Sequence, residues 1–236
     1  MSIRKHIPNT ITLCNLLSGC TGIVFALKGQ FLSVFVCLIA SEVFDFLDGF
    51  SARALHAYSA IGKELDSLAD LVSFGLLPAM TLFAYYGMAN PELPLLRWVP
   101  FLLPAASALR LAKFNLDTRQ TTGFLGLATT GCAMLLVPMT VYAFHTDGFL
   151  HFLMGTAWFI PLLTLACAYL LVCEIPMFSL KIMTGRLKAF LTGSAVLIAA
   201  CLIREIHAPW HVSVSLCITL VLAYYLVLNI AARFKK

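Results

Sequence analysis

Apolar runs of membrane-spanning length recur along this chain, separated by short polar or glycine- and proline-containing breaks. A helix needs about 20 mostly apolar residues to cross a bilayer. That rule predicts eight helices, at roughly 10–27, 31–55, 65–87, 95–113, 124–145, 149–173, 188–205 and 210–232. The breaks carry turn chemistry: Lys28-Gly29-Gln30, Asn90-Pro91, Gly123, Asp147-Gly148, Gly185 and Ala208-Pro209. No stretch is long and polar enough for a separate soluble domain, so residues 1–236 read as one membrane domain. The predicted fold class is all-α, a polytopic membrane helix bundle.

Composition agrees with the pattern. Hydrophobic residues make up 61% and charged residues 11% of the 236, and the mean hydropathy is +0.92. Soluble domains are about 45–50% apolar and about 25% charged. The basic start and first apolar run resemble a signal peptide, but the run continues to Leu27 without a small-residue cleavage pattern, so it reads as a retained span. Residues 1–8 read equally as a short interfacial helix or a polar tail. Eight cysteines are scattered through apolar segments without a CxxC pair, and read as small buried hydrophobes. The six histidines form no cluster in sequence. The net charge of +5 suits an anionic lipid leaflet, and nothing is patterned for nucleic acid.

Charge placement orients the bundle. With the N-terminus cytoplasmic, one side holds Arg4, Lys5, Arg53, Lys63, Arg110, Lys113, Arg119, Lys181, Arg186, Lys188, Arg233, Lys235 and Lys236, and the other holds Lys28, Arg97 and Arg204. That is 13 against 3 of 16 Lys and Arg, the positive-inside asymmetry, with both termini cytoplasmic.

One stretch departs from the apolar pattern. DFLDGFSARALHAYSAIGKELDSLAD, residues 45–70, places Asp45 and Asp48 three apart at the end of the second helix, and Asp66 and Asp70 four apart at the start of the third. Such spacings put each pair on one helix face. A turn near Tyr58–Gly62 brings the faces together. Carboxylates at membrane depth are costly and mark function. Oxygen-only ligands suit Mg²⁺, Mn²⁺ or Ca²⁺. Gly49 and Gly62 remove side chains where backbone and ligand approach, and Arg53 is suited to clamp phosphate oxygens. Glu42, one turn before Asp45, reads as a neighbour of that site or as a helix-packing group.

These residues carry a resemblance. Asp45, Asp48, Gly49, Ala52, Arg53, Gly62, Asp66 and Asp70 match D-x2-D-G-x2-A-R-x8-G-x3-D-x3-D, the signature of the CDP-alcohol phosphatidyltransferase family. The resemblance implies a helical membrane enzyme, commonly a homodimer. Such an enzyme transfers a phosphatidyl group from CDP-diacylglycerol to an alcohol and releases CMP. It also implies that the four aspartates hold two divalent cations, Mg²⁺ or Mn²⁺, and that Asp70 is the base toward the acceptor hydroxyl. Thr12 and Asn15, on one face of the first helix, are expected with Gly49, Ala52, Arg53 and Gly62 to meet the CDP-lipid.

Further blocks resemble the serine-accepting subfamily, the membrane-embedded phosphatidylserine synthases. They are IPNTITLCNLLSG (7–19), GKELDSLADLVSFGLLPA (62–79), ALRLAKFNLD (108–117) and IPMFSLK (175–181). This implies L-serine as acceptor, with Ser67, Arg110, Lys113 and Asn115 as its candidate contacts. A guanidinium binds a carboxylate bidentately, but equally a phosphate, so Arg110 does not by itself separate serine from glycerol 3-phosphate or an inositol-type alcohol. Where the subfamily shows GLP-[ST]-P, this chain has GLATTGCA (126–133) and lacks both prolines. A divalent-cation transporter is the reading from another class. Its site is expected near the membrane midplane, often between repeated halves. This chain has one acidic cluster near one face and no internal repeat.

Overall fold

The computed structural model describes residues 6–116, 124–177, 185–204 and 208–233. The charges expected at Arg4, Lys5, Arg119, Lys181, Lys235 and Lys236, and the end of the 175–181 block, lie outside them.

Helix α1 (His6–Leu27) has an inverted amphipathicity. Its buried face is Pro8, Thr12, Asn15, Gly19, Gly22 and Ala26, while Leu13, Leu17 and Val24 are exposed. Small and polar residues face the protein and large apolar ones face outward. That is the arrangement expected where lipid, not water, surrounds the bundle. The small residues let backbones approach. A Cβ on Gly22 would meet Leu77 at 2.9 Å and Cys37 at 3.1 Å.

A tight turn with Gly29 at φ +69° leads into α2 (Phe31–Ala54), which packs along α1. The turn between α2 and α3 (Ala60–Asp70) ends at Ser59, whose hydroxyl caps α3 by accepting from Gly62 N at 3.0 Å. A π-helical segment, Leu71–Leu76, follows Asp70 directly, and α4 (Leu77–Ala89) continues the same rod. The third helix therefore starts five residues before the expected 65, because Ser59 supplies the cap.

A 3₁₀ turn (Leu96–Phe101), with Arg97 over the Phe83 ring at 3.9 Å, precedes α5 (Leu102–Leu116). The expected fifth helix at 124–145 begins differently. Strand β1 (Phe124–Leu125) pairs antiparallel with β2 (Pro176–Met177), and α6 starts only at Thr129 and runs to His145. Gly126 makes this possible. Its φ is +71°, its N–H donates to Ile175 O at 2.9 Å, and Leu127 N–H donates to Leu170 O at 2.8 Å. Without the two prolines, the chain still bends at this glycine, tied to the end of α8 and to Ile175 just beyond it.

A Cβ at Gly126 would meet the carbonyl oxygens of Cys173 and Leu170 at 2.7 and 2.8 Å. Backbone cannot give way as a side chain can, and the φ is strained for an L residue. Gly126→Ala is therefore expected to destabilise the fold by about 1–3 kcal/mol or more. Lowered melting in detergent checks this, with Gly131→Ala, whose nearest Cβ contact is an ordinary 3.4 Å, as the mild control.

Helix α6 is the core of the bundle, buried along most of its length, with α2, α4 and α10 against it. The expected single helix at 149–173 is instead α7 (Phe149–Gly155) and α8 (Phe159–Val172), bent by 89° at the break. Gly155 ends the first piece, and Thr156 ties its own N–H and hydroxyl back to Leu153 O at 3.0 and 2.6 Å. Helices α9 (Gly185–Arg204) and α10 (Trp210–Arg233) pack as a pair, Gly193 lying against the Tyr224 ring, and α10 also lies along α6.

Among the described residues, three helices are long and apolar enough to cross a membrane: His6–Leu27, Ala60–Ala89 and Trp210–Ala231. The bent α7–α8 pair makes a fourth if it counts as one span. One sequence expectation is corrected. The cysteines are not uniformly buried: Cys132, Cys167 and Cys201 are, but Cys20 is exposed, since an outward position on a lipid-facing helix costs a thiol little. Two histidines meet as a pair: the His145 and His211 rings are 5.0 Å apart, brought together where α10 folds back on α6.

Candidate active site

Three helices deliver the acidic groups and their partners to one place. The end of α2 brings Asp45 and Asp48, and the second half of α3 brings Asp66 and, as its last residue, Asp70. The three-residue and four-residue spacings turn each pair to one face, as the sequence predicts. Carboxylate oxygens of Asp45, Asp48 and Asp66 all lie within 4.8 Å of one another. Asp70 falls outside that group of three, yet Asp45 is in side-chain contact with both Asp66 and Asp70. Asp48 is only 6% exposed, and Asp66 Oδ1 is buried without a hydrogen-bond partner. An orphaned carboxylate oxygen beside two other carboxylates is expensive unless a cation sits among them. The donor set is oxygen only, which fits a hard divalent cation. The three residues can therefore hold a metal ion.

Helix α1 supplies hydrogen-bond donors to two of the carboxylates. Thr12 Oγ1 donates to Asp48 Oδ2 at 2.6 Å, and Asn15 Nδ2 donates to Asp70 Oδ1 at 3.3 Å. Asn15 is fully buried, and its backbone carbonyl accepts from Ser41 and Ser73 at 3.4 and 3.0 Å. Glu42 lies beside Asp45, with Oε1 buried and unpartnered.

Beside the carboxylates is a cavity of about 530 Å³. The start of α1, the end of α2 and the start of α3 line it. Of the residues expected to meet the CDP-lipid, Thr12, Gly49, Ala52 and Gly62 line this cavity, and Asn15 and Arg53 do not. Arg53 is exposed, its Nη1 3.6 Å from where a Gly49 Cβ would stand. A Cβ on Gly62 would come within 2.9 Å of Ser59 Oγ and 3.0 Å of Asn9 Oδ1, so a larger residue there would have to displace those two side-chain ends. Asn9 and Ser59 line the cavity too, and sequence reasoning gave neither a role. Ser59 was legible as an N-cap three residues before Gly62. Asn9 sits inside the recognised 7–19 block but carries no physical signal of its own.

None of the candidate acceptor residues Ser67, Arg110, Lys113 and Asn115 lines that cavity. Asn115 Nδ2 donates to Ser67 Oγ at 2.9 Å, and Lys63 Nζ donates to Asn115 O at 3.0 Å, so α3 is clasped to the end of α5. Ser67 also donates to Lys63 O at 3.3 Å, within its own helix. Arg110 is half-buried on α5, within electrostatic reach of Asp70, and its Nε is buried without a partner. Lys113 is exposed.

Apolar helices that bury their polar faces, and carboxylates gathered at the ends of two of them, mark a helical membrane protein with an oxygen-only carboxylate cluster able to hold a cation. The chain belongs to the CDP-alcohol phosphatidyltransferase family, whose model matches residues 5–170. It is similar to proteins named CDP-diacylglycerol–serine O-phosphatidyltransferase in several organisms. The match to the one from Mycobacterium leprae is 34% identical over 184 residues, 72% of this chain and 57% of that relative. That from Bacillus subtilis is 33% identical over 133 residues, 56% of this chain and 74% of the relative. That from Methanocaldococcus jannaschii is 38% identical over 138 residues, 58% of this chain and 62% of the relative. The chain thus spans less than two thirds of the length of two of these three relatives.

Proposed function

We propose that this protein transfers the phosphatidyl group of CDP-diacylglycerol to the hydroxyl of L-serine, giving phosphatidylserine and CMP. The observation that carries the reaction type is the Asp45, Asp48 and Asp66 cluster, within 4.8 Å on the family signature and beside a cavity. Serine as acceptor is supported by the names of the relatives and by a half-buried guanidinium with a free Nε next to Asp70. The setting we propose is eight spans with the site at the cytoplasmic face of the cell membrane, in a single domain that forms a homodimer.

In this reading Asp45, Asp48, Asp66 and Asp70 hold two Mg²⁺ or Mn²⁺ ions. When bound, such ions neutralise the diphosphate and stabilise the leaving phosphate. The protein's own residues do the rest. The cavity between α1, α2 and α3 takes the nucleotide end of the lipid. Arg110 orients the carboxylate of serine, and Asn115 and Lys113 flank it. Asp70 accepts the hydroxyl proton as the serine oxygen bonds to the phosphatidyl phosphorus. The bond from that phosphorus to the bridging oxygen breaks, and CMP departs with it. No covalent enzyme intermediate is needed.

The test is a headgroup assay with protein, CDP-diacylglycerol and one alcohol at a time. Metal-dependent CMP release with serine is expected, lost with a chelator and restored by Mg²⁺ or Mn²⁺. A chiral phosphorus label is expected to invert. Release with glycerol 3-phosphate or an inositol-type alcohol but not with serine would overturn the acceptor, and retention would overturn single displacement.

A further inference from the structure

We infer that Thr12 and Asn15 are positioning residues for the cation-holding carboxylates, rather than contacts to the CDP-lipid. The inference rests on the metal-dependent reading above. The two residues are three apart on the buried face of α1, and each donates to a different carboxylate: Thr12 to Asp48 at 2.6 Å and Asn15 to Asp70 at 3.3 Å. One carboxylate comes from α2 and the other from α3, so a single helix face sets the spacing between the two acidic helices. Both donors are buried, at 3% and 0% exposure, which leaves little of either side chain for a large ligand. Thr12 does touch the cavity, but its hydroxyl also lies 3.1 Å from Pro8 O, and the shorter contact to the charged oxygen takes the proton. Asn15 does not line the cavity.

The backbone of Asn15 is fixed as firmly as its side chain. Its carbonyl accepts from Ser41 on α2 and from Ser73 in the π-helical segment that follows Asp70. Gly19, one turn further along α1, lets Ser73 come this close, since any Cβ there would collide with the Ser73 side chain and backbone. The amide and the carboxylate it holds are thus tied to the same short segment.

Donor chemistry explains why these are a hydroxyl and an amide. A lysine or arginine paired to Asp48 and Asp70 would orient them but cancel charge that a cation needs. Neutral donors orient without cancelling. Of the nearby cations, Lys63 Nζ bonds Asn115 O and Arg53 lies over Gly49 at the surface, so Asp48 is held by the neutral Thr12; Asp70 has Arg110 within electrostatic reach, but its hydrogen-bond donor is the neutral Asn15. Groups that orient metal ligands from behind typically change metal affinity about 10- to 100-fold when removed.

The experiment measures Mn²⁺ binding by electron paramagnetic resonance on the full chain in detergent, without CDP-lipid, beside kinetics with CDP-diacylglycerol. Thr12→Val and Asn15→Leu keep size and remove the donors. Each is expected to weaken Mn²⁺ about 10- to 100-fold, with Thr12→Ser close to wild type. Mn²⁺ affinity unchanged in Thr12→Val overturns the inference, whether or not KM for CDP-diacylglycerol rises. Asp66→Ala separates the two levels. If it loses Mn²⁺ while Thr12→Val and Asn15→Leu keep it, only the positioning role fails. If Asp66→Ala keeps Mn²⁺, the metal reading itself fails. Melting curves show which variants fold, and Thr12→Ser tests the hydroxyl without disturbing packing.

Discussion

Asp70→Asn is expected to lower the rate of serine-dependent CMP release by about 10²- to 10⁴-fold, the range for loss of a positioned acid or base. The change is nearly isosteric, so the fold is retained. Asp70 is the carboxylate that Asn15 addresses, that Asp45 touches and that lies nearest in charge to Arg110. It therefore stands between the acidic cluster and the acceptor flank. A carboxamide in its place cannot take the hydroxyl proton. Two further readouts place the loss. If Asp70 acts chiefly as a base, kcat falls and KM for CDP-diacylglycerol changes little. If it acts chiefly as a metal ligand, raising Mn²⁺ restores part of the rate. A variant with wild-type turnover would remove Asp70 from the chemistry. The same experiment disposes of the transporter alternative, because a protein that only moves cations releases no CMP.

The second large effect is expected at Arg110. Its Nε is buried and has no protein partner, although the side chain lies at the flank of the site. A half-buried guanidinium with an unpartnered Nε is suited to a carboxylate that arrives with the substrate. Removing one partner of a buried charged pair costs about 2–5 kcal/mol, or roughly 30- to 4,000-fold in apparent affinity. Arg110→Gln should therefore raise KM for serine by a factor in that range. The sharper readout is discrimination. Ethanolamine is serine without its carboxylate. Wild-type protein should prefer serine strongly, and Arg110→Gln should lose most of that preference. If the variant still discriminates, Arg110 does not read the carboxylate. If it favours a phosphorylated alcohol less than wild type does, the acceptor carries a phosphate.

The largest gap between sequence and structure is at α1. Thr12 and Asn15 were legible as polar residues on one face at the right depth. Their targets were not, because those lie 36 and 55 residues away. Spacing within a helix tells which side chains share a face, not which carboxylate that face will meet. The same limit hid the His145–His211 contact and the role of Gly126, whose carbonyl neighbours belong to the end of α8 and the residue after it. It also hid the bend between α7 and α8. The apolar run there is continuous, and only Gly155 and Thr156 mark the break.

The sequence by itself determined the class, the existence of most helices and the cluster, though not the break within 149–173 or the start of α6. An apolar run of span length has few alternatives to a helix, because in lipid the backbone must bond to itself. Two aspartate pairs at helical spacing, joined by a short turn, have few alternatives to convergence. Tertiary structure decided which carboxylates are held and by what. It placed Asp45, Asp48 and Asp66 within reach of one ion and set Asp70 toward Asn15 and Arg110. It also set the Thr12 hydroxyl onto Asp48 at the edge of the cavity. Those outcomes depend on how helices distant in sequence pack, through the close approaches at Gly19, Gly22 and Gly62, and on distances of a few ångströms that no spacing along one helix specifies.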